Sequence, residues 1–358
     1  MRYLCDIIVL TWNQKEIIKS FVESLLRTTY LPSQLIIIDN ASIDGTREYL
    51  ESLRSTDQFK VKIILNNENR GFVGGMNQGL TVSSAPYVCL ANNDLIFTKG
   101  WLSEIISIFE KHPKVGVLNP HSNNLGANPP KGVSLEEFAQ QLKARYTGVF
   151  VEMPFCIGFC MVIKREVIEK IGGLSEEFHP MFFEDTDYSM KAKSAGYLIG
   201  VAKGSYVWHQ EHASFKQWPK EKEEVFAKSR EKFTKKWGKI LRVAWIVEDF
   251  KELLDNLDRG INLAREGNFV RFFVKNLHKE REAIFKESNH FEHSGIEFIK
   301  FNNLFDLVFK ILKKKKRYNL IISKSRSLHW LLDKFKYLVL TDFDEEKIRE
   351  IKHFAYYG

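Results

Sequence analysis

Short apolar runs alternate along this chain with longer stretches in which apolar residues recur every three or four positions. That alternation is the signature of strands buried on both faces and of amphipathic helices that cover them. Cys5–Thr11 reads as a first strand and Lys15–Thr28 as a helix with Ile17, Ile18, Phe21, Leu25 and Leu26 on its apolar side. Pro32 falls in the following loop, and Leu35–Ile38 is a second strand. The repeat continues with a helix near 45–54, a strand Val61–Leu65, a Gly-rich loop and helix over 69–84, and a strand Tyr87–Ala91. A helix near 99–111 and a strand Val115–Asn119 follow, and the Pro, Gly and Asn residues of 120–132 predict an irregular loop that borders the substrate site.

The alternation pauses after a charged helix, Lys220–Lys236, which stops at Trp237-Gly238. It then restarts with strands near Arg242–Val247, Val270–Lys275, Glu297–Phe301, Asn319–Ser323 and Tyr337–Asp342. Two domains are therefore expected, residues 1–238 and 239–358. The second is Rossmann-like in outline but lacks G-x-G-x-x-G and any phosphate loop, so no nucleotide chemistry is assigned to it.

Composition agrees with two ordered domains: 358 residues exceed one ordinary core, and 44% hydrophobic residues with nine prolines describe a globular chain. No apolar stretch approaches the roughly 20 residues of a membrane span, and Met1–Asp6 leads directly into a strand, so the expectation is a cytoplasmic protein, peripheral at most at the inner membrane face. Cys5, Cys89, Cys156 and Cys160 lie in or beside apolar segments without CxxC spacing, which reads as buried thiols. The formal charge of +8 is uneven, since residues 239–358 hold 24 Lys or Arg against 18 Asp or Glu. Lys313–Arg317 is the densest run, and it reads either as a solvated helix end or as a contact for anionic lipid. Nucleic acid is not an expected partner, because no recognition motif accompanies the basic residues.

The chemistry concentrates at strand ends. Asp39-Asn40-Ala41-Ser42 and Asn92-Asn93-Asp94 each close an apolar run, and Glu184-Asp185-Thr186-Asp187 follows downstream. Ligands of open α/β sheets bind beyond the carboxyl ends of the strands, which gives these acids a functional reading. Together with Ile8–Asn13, Ile38–Thr46, Asn69–Asn77, Gly172-Gly173-Leu174 and Phe183–Tyr188, they resemble the inverting glycosyltransferases of family two, in particular the bacterial rhamnosyltransferase-like group. The resemblance covers about residues 3–238 and implies a GT-A fold, a mixed but mostly parallel sheet with helices on both faces.

The resemblance implies a nucleoside diphosphate sugar as donor, Mg²⁺ or Mn²⁺ as cofactor, and a hydroxyl of a surface glycan or lipid-linked oligosaccharide as acceptor. Asp94 and His209 are the implied metal ligands, with His212 a weaker candidate. Asn92 stands where the family's Asp-x-Asp carries its first acid. Asp39 is similar to the carboxylate that holds nucleobase or ribose, with Thr11 and Asn13 lining the same pocket, while Asp44 either contacts nucleotide or caps the next helix. Asn69, Gly71, Gly74, Asn77, Asn92 and Asn93 complete the implied donor site, the glycines letting helix N-terminal amides approach phosphate. Asp185 is the implied general base, and Glu184 and Asp187 orient the acceptor, set the loop or cap a helix Tyr188–Ala195. Trp208, Trp218 and Trp237 stack on sugar or simply pack.

Two other readings compete. A catalytically inactive sugar-nucleotide-binding or scaffold protein would explain Asn92, and a nucleotidyltransferase would share the parallel sheet but needs a Gly-rich, basic loop where this chain has Thr11-Trp12-Asn13-Gln14. Residues 239–358 faintly resemble half of a GT-B transferase around Ala264-Arg265-Glu266-Gly267. Orienting the acceptor, recruiting a partner, forming a homodimer and docking on anionic membrane all stay open as their role.

Overall fold

The computed structural model describes residues 3–57, 59–210 and 219–354; the candidates His212 and Trp218 lie outside them. The chain divides into two compact units, residues 1–150 with 155–233, and residues 151–154 with 234–358.

In the first unit the strands are β1 (Cys5–Thr11), β2 (Ser33–Asp39), β3 (Phe59–Leu65), β4 (Tyr87–Ala91), β5 (Leu95–Phe97) and β6 (Val115–His121). The short β7 (Phe150–Glu152) lies where the chain passes between units, and β8 (Cys160–Lys164) and β9 (Leu198–His209) complete the set. The helices are α1 (Lys15–Thr28), α2 (Thr46–Ser52), α3 (Gly71–Thr81), α4 (Trp101–Lys111), α5 (Leu135–Tyr146), α6 (Arg165–Ile171), α7 (Glu184–Ser194) and α8 (Pro219–Trp237). The strand order is β3-β2-β1-β4-β8-β6-β9-β5, with β1, β2, β3 and β4 parallel and β8 antiparallel to both β4 and β6. This is the mixed, mostly parallel α/β architecture expected from the sequence.

Register explains why polar residues gather at one edge. Thr11 of β1 lies opposite Asp39 of β2, and Asp39 lies opposite Leu65 of β3, so the carboxyl ends of these strands finish together. Helix α3 crosses behind them at close range because it has no side chain where it meets β1. A Cβ on Gly75 would fall 2.4 Å from Leu10 Cδ1, and one on Gly79 would fall 2.4 Å from Ile8 Cγ2. These two glycines, four residues apart, serve close helix-to-sheet packing rather than a ligand.

The second unit carries an all-parallel five-stranded sheet of order β12-β11-β10-β13-β14. Its strands are β10 (Arg242–Val247), β11 (Phe269–Lys275), β12 (Ile296–Phe301), β13 (Leu320–Ile322) and β14 (Val339–Leu340). Helices α9 (Phe250–Arg265), α10 (Arg281–Glu287) and α13 (Glu345–Phe354) bury Leu253, Leu257, Ile284, Phe285 and Ile348 in one core layer. Helices α11 (Leu304–Leu312) and α12 (Arg326–Asp333) bury Leu307, Ile311, Leu328 and Leu332 in a second layer. Arg265 donates to both carboxylate oxygens of Glu152, at 2.6 and 2.8 Å, and ties residues 151–154 into this unit. All four cysteines are free and buried; Cys89 and Cys160 sulfurs lie 3.7 Å apart.

Candidate active site

A cavity of about 460 Å³ opens at the carboxyl edge of the large sheet. Thr11, Asn69, Gly71, Asn92, Asn93, Asp94, Glu184, Asp185 and His209 all line it, joined by Trp12, Gln14, Asn40 and Asn124. Residues brought from β1, the segment after β4, the start of α7 and the end of β9 thus share one space.

Asp94 and His209 meet directly. His209 Nε2 lies 2.9 Å from Asp94 Oδ1, and the side-chain amide of Asn124 contacts the opposite ring nitrogen. The backbone of His209 is clamped as well: its N–H donates to Asn123 Oδ1 and its carbonyl accepts from Asn123 Nδ2, both at 2.9 Å. Phe159 stacks on the imidazole at a centroid distance of 5.7 Å. Asn123 and Asn124 stand in the irregular stretch expected to border the site, and their grip on His209 is what the sequence did not disclose. Among the described residues no group of three or more His, Cys, Asp or Glu is placed to hold a metal. The donor set is therefore one carboxylate and one imidazole, which fits a hard divalent ion whose remaining ligands are water and phosphate oxygens.

The acidic pair opens α7 rather than preceding it. The sequence reading starts this helix at Tyr188, whereas it begins at Glu184, so Glu184, Asp185 and Asp187 all occupy its first turn. Negative charge is favourable there, at the positive end of the helix dipole. Phe182 and Phe183, just before it, both have positive φ, 74° and 67°, a backbone region that bulky side chains rarely adopt and that is tolerated where surrounding structure enforces it. Phe183 and Phe226 rings lie 5.3 Å apart and Phe183 and Phe233 rings 5.3 Å apart, so α8 braces this turn.

The two carboxyl groups are held differently. Asp185 Oδ2 accepts from Gly158 N–H at 2.7 Å, and Oδ1 accepts from Thr186 N–H at 2.6 Å and Thr186 Oγ1 at 3.0 Å. Burial raises its pKa while these hydrogen bonds oppose the rise. Glu184 is buried, and its Oε2 has no hydrogen-bond partner. Burial, followed by the charge of Asp185, pushes the Glu184 carboxyl up to about 8. Burial disfavours charge on both groups, and Asp185 has the three side-chain hydrogen bonds that favour its charged form, so a proton held by the pair belongs on Glu184.

That separation has a stability consequence. A carboxyl whose pKa is higher in the folded than in the unfolded protein binds protons on folding, so its contribution declines as pH rises from about 4.5 through about 8. Glu184→Gln, which mimics the protonated group, is expected to flatten this decline, so that the variant gains melting temperature relative to wild type as pH is raised from about 5 to about 9, through the folded-state value. Thermal melts of the two proteins whose difference stays constant over that interval would contradict the assignment.

Other residues assigned to the donor site lie elsewhere or are already engaged. Asp39 is fully buried and does not line the cavity; its Oδ2 accepts from Ser42 N–H at 3.1 Å and Arg47 Nε at 2.8 Å. Asn13, at φ 51°, bridges to the loop after β2: it accepts from Ile43 N–H and its own N–H donates to Ser42 Oγ. Asp44 accepts from Lys15 N–H, Thr46 N–H and Thr46 Oγ1, so capping is what it does in the fold. Asn77 donates to Leu174 O and accepts from Leu174 N–H, both at 2.9 Å, and so holds the Gly172–Leu174 loop. Gly74 stands clear of the cavity lining, with Arg70 Cβ its nearest neighbour.

The phosphate-binding amides inferred for the start of α3 are taken. Pro180 O accepts from Phe72 N–H at 2.9 Å and Val73 N–H at 3.3 Å, and Gly71 N–H donates to Asn69 Oδ1. The helix end is capped from a distant loop, which no local pattern reveals. Gly71 itself, at φ 66°, leaves no room for a side chain against Pro180. A network of amides instead organises this wall: Asn40 donates to Asn69 Oδ1 and Gly71 O, and Asn66 donates to Asn40 Oδ1 and Gln78 Oε1. Trp208 packs beside Tyr206 and Ala127, and Trp237 ends α8 beneath Lys236. The aromatic lining comes from Trp12, Phe72, Phe159, Phe182, Phe183 and Phe226.

Comparison with known proteins places this geometry in a family. Residues 6–172 match the model described as Glycosyl transferase family 2. The chain is 26% identical over 227 residues to an uncharacterized protein, y4gI, of Sinorhizobium fredii, covering 59% of this chain and 25% of that one. It is 29% identical over 201 residues to the poly-beta-1,6-N-acetyl-D-glucosamine synthase of Staphylococcus aureus, covering 55% of this chain and 47% of that one. The chain spans between a quarter and about a half of the length of the curated relatives it matches. Among solved structures it is similar to a mannosyltransferase of Pyrobaculum calidifontis in complex with GDP-Man and Mn²⁺, with 19% identity, a TM-score of 0.46, and 60% of this chain and 59% of that one covered. Residues 6–172, which supply the strand ends on one side of the cavity at the carboxyl edge of the sheet, thus match a glycosyl transferase family 2 domain.

Proposed function

We propose that this chain is an inverting glycosyltransferase that moves a sugar from a nucleoside diphosphate to a hydroxyl of a surface glycan or lipid-linked oligosaccharide. The observation that carries this reading is the convergence of Asp94 with His209, and of Glu184 with Asp185, on one cavity from distant parts of the sequence. Residues 239–358 form an accessory domain in this reading.

Asp94 and His209 would hold a Mg²⁺ or Mn²⁺ ion, with Asn92, which lines the same cavity, offering an amide oxygen. Bound there, such an ion would neutralise charge that develops on the diphosphate leaving group. Thr11, Asn69 and Asn93 line the donor side, and Asn93 is fixed by donation to Gln14 Oε1 at 2.7 Å. Asp185, whose charged form is favoured by three hydrogen bonds, takes the acceptor hydroxyl proton as that oxygen attacks the anomeric carbon from the face opposite the leaving group. Glu184, protonated, leaves a single negative charge at this end of the cavity. The aromatic residues around it exclude water, which limits hydrolysis of the donor.

The test is turnover of UDP-, GDP- and dTDP-sugars with Mn²⁺ or Mg²⁺ and a panel of glycan and glycolipid acceptors, with the product's anomeric configuration read by NMR. Metal-dependent release of nucleoside diphosphate with inverted product is expected. Nucleotide binding without transfer or hydrolysis of any donor would instead establish an inactive binding protein.

A further inference from the structure

The formal charge of the whole chain is concentrated in one segment of the second unit. Residues 303–338 contain ten Lys or Arg and two Asp, a net of +8, which equals the chain's own total and leaves every other residue in balance. The same segment supplies most of the exposed large apolar side chains among the described residues: Leu304, Phe305, Phe309, Leu312, Trp330, Phe335 and Leu338. Phe305 is 88% exposed and Trp330 66%, values at which burial in this fold contributes little.

The fold places the two helices that carry most of these residues on one side of the unit. Helices α11 and α12 cover the same face of the five-stranded sheet, with Leu307, Ile311, Leu328 and Leu332 turned into the core. Phe305, Phe309 and Leu312 recur at intervals of four and three residues, so they form an outward stripe on α11 opposite its core side. Helix α11 is thus apolar on both sides, which a helix covering a sheet in water does not require. Its C-terminus runs directly into Lys313–Arg317, all exposed. The basic side chains interleave with the rings: Lys313 lies 5.3 Å from the Phe309 centroid and Lys334 3.5 Å from that of Trp330.

We propose that this face of α11 and α12 docks on the surface of a membrane rich in anionic lipid. Aromatic and aliphatic side chains enter the boundary between headgroups and acyl chains, while flanking lysines meet lipid phosphates and carboxylates. The composition favours a bilayer over a protein partner, because eight of the ten basic residues are lysines and protein interfaces deplete lysine. A second copy of the chain would bring two faces of charge +8 together. The inference is independent of the sugar-transfer reading and stands or falls without it.

The test is co-sedimentation of the full chain with vesicles of phosphatidylcholine alone or containing about 30% phosphatidylserine, a composition chosen to give a negative surface potential. Binding is expected only to the anionic vesicles and is expected to fall steeply with added salt. Each lysine near such a surface contributes about fivefold in partitioning, so replacing Lys313, Lys314, Lys315 and Lys316 with Gln is expected to lower it by at least about a hundredfold. Phe305→Ser with Phe309→Ser is expected to weaken binding that residual charge attraction alone would leave intact, and Trp330→Phe to remove a vesicle-induced blue shift in fluorescence. These positions are exposed, so circular dichroism should show the variants folded. Equal binding to neutral and anionic vesicles, no binding to either, or vesicle binding unchanged in the lysine variant would overturn the proposal. So would a preference for single-stranded nucleic acid over anionic vesicles in competition.

Discussion

Asp185→Asn is expected to lower sugar transfer by about a hundred- to ten-thousandfold, the range that a positioned general base contributes, while nucleoside diphosphate binding stays at the wild-type level. The substitution keeps the size of the side chain and one acceptor oxygen, but it removes the charge that draws the proton. Only one of the two N–H groups that Asp185 now satisfies, Gly158 and Thr186, can still be served, so a small loss of melting temperature accompanies the loss of rate. Transfer rates with Asn at this position that match wild type would remove Asp185 from the role. The Glu184→Gln variant provides the contrast: a neutral Glu184 predicts that most activity survives there near neutral pH.

Asp94→Ala is expected to act on the other end of the reaction. Removing one of two protein donors for the ion costs several kcal/mol of charge stabilisation at the leaving group, which at about 1.4 kcal/mol per tenfold corresponds to about a thousandfold or more in kcat/KM. The discriminating readout is calorimetric binding of nucleoside diphosphate with and without Mn²⁺. Wild type and Asp185→Asn are expected to bind more tightly with the ion, and Asp94→Ala to bind equally in both conditions. His209 keeps its contacts with Asn123, Asn124 and Phe159 in this variant, so the cavity wall stays in place. A metal response that survives in Asp94→Ala would show that other groups hold the ion.

The two variants separate the halves of the chemistry because the structure separates them. Asp94 stands just beyond β4 and pairs with the last residue of β9, whereas Asp185 opens a helix and is held by a loop amide at Gly158. Neither pair of contacts is local. Asp94 and His209 are 115 residues apart, and Asp185 and Gly158 are 27 apart.

The sequence by itself determined most elements of residues 5–119 and of the second unit, the arrival of polar residues at strand ends, and the family to which its motifs point. Burial on a sheet or a helix imposes a period of two or 3.6 residues, or a continuous apolar run, and such patterns are written locally in the chain. Only the tertiary structure decided which partner each polar group takes. It turned Asp39 to Arg47, committed Asn77 to Leu174, and set Pro180 over the amides of α3. It also began α7 at Glu184 and set Asn123 and Asn124 to hold His209. A buried hydrogen-bonding group must be satisfied by whatever stands nearest in space, and segments distant in sequence provide that neighbour.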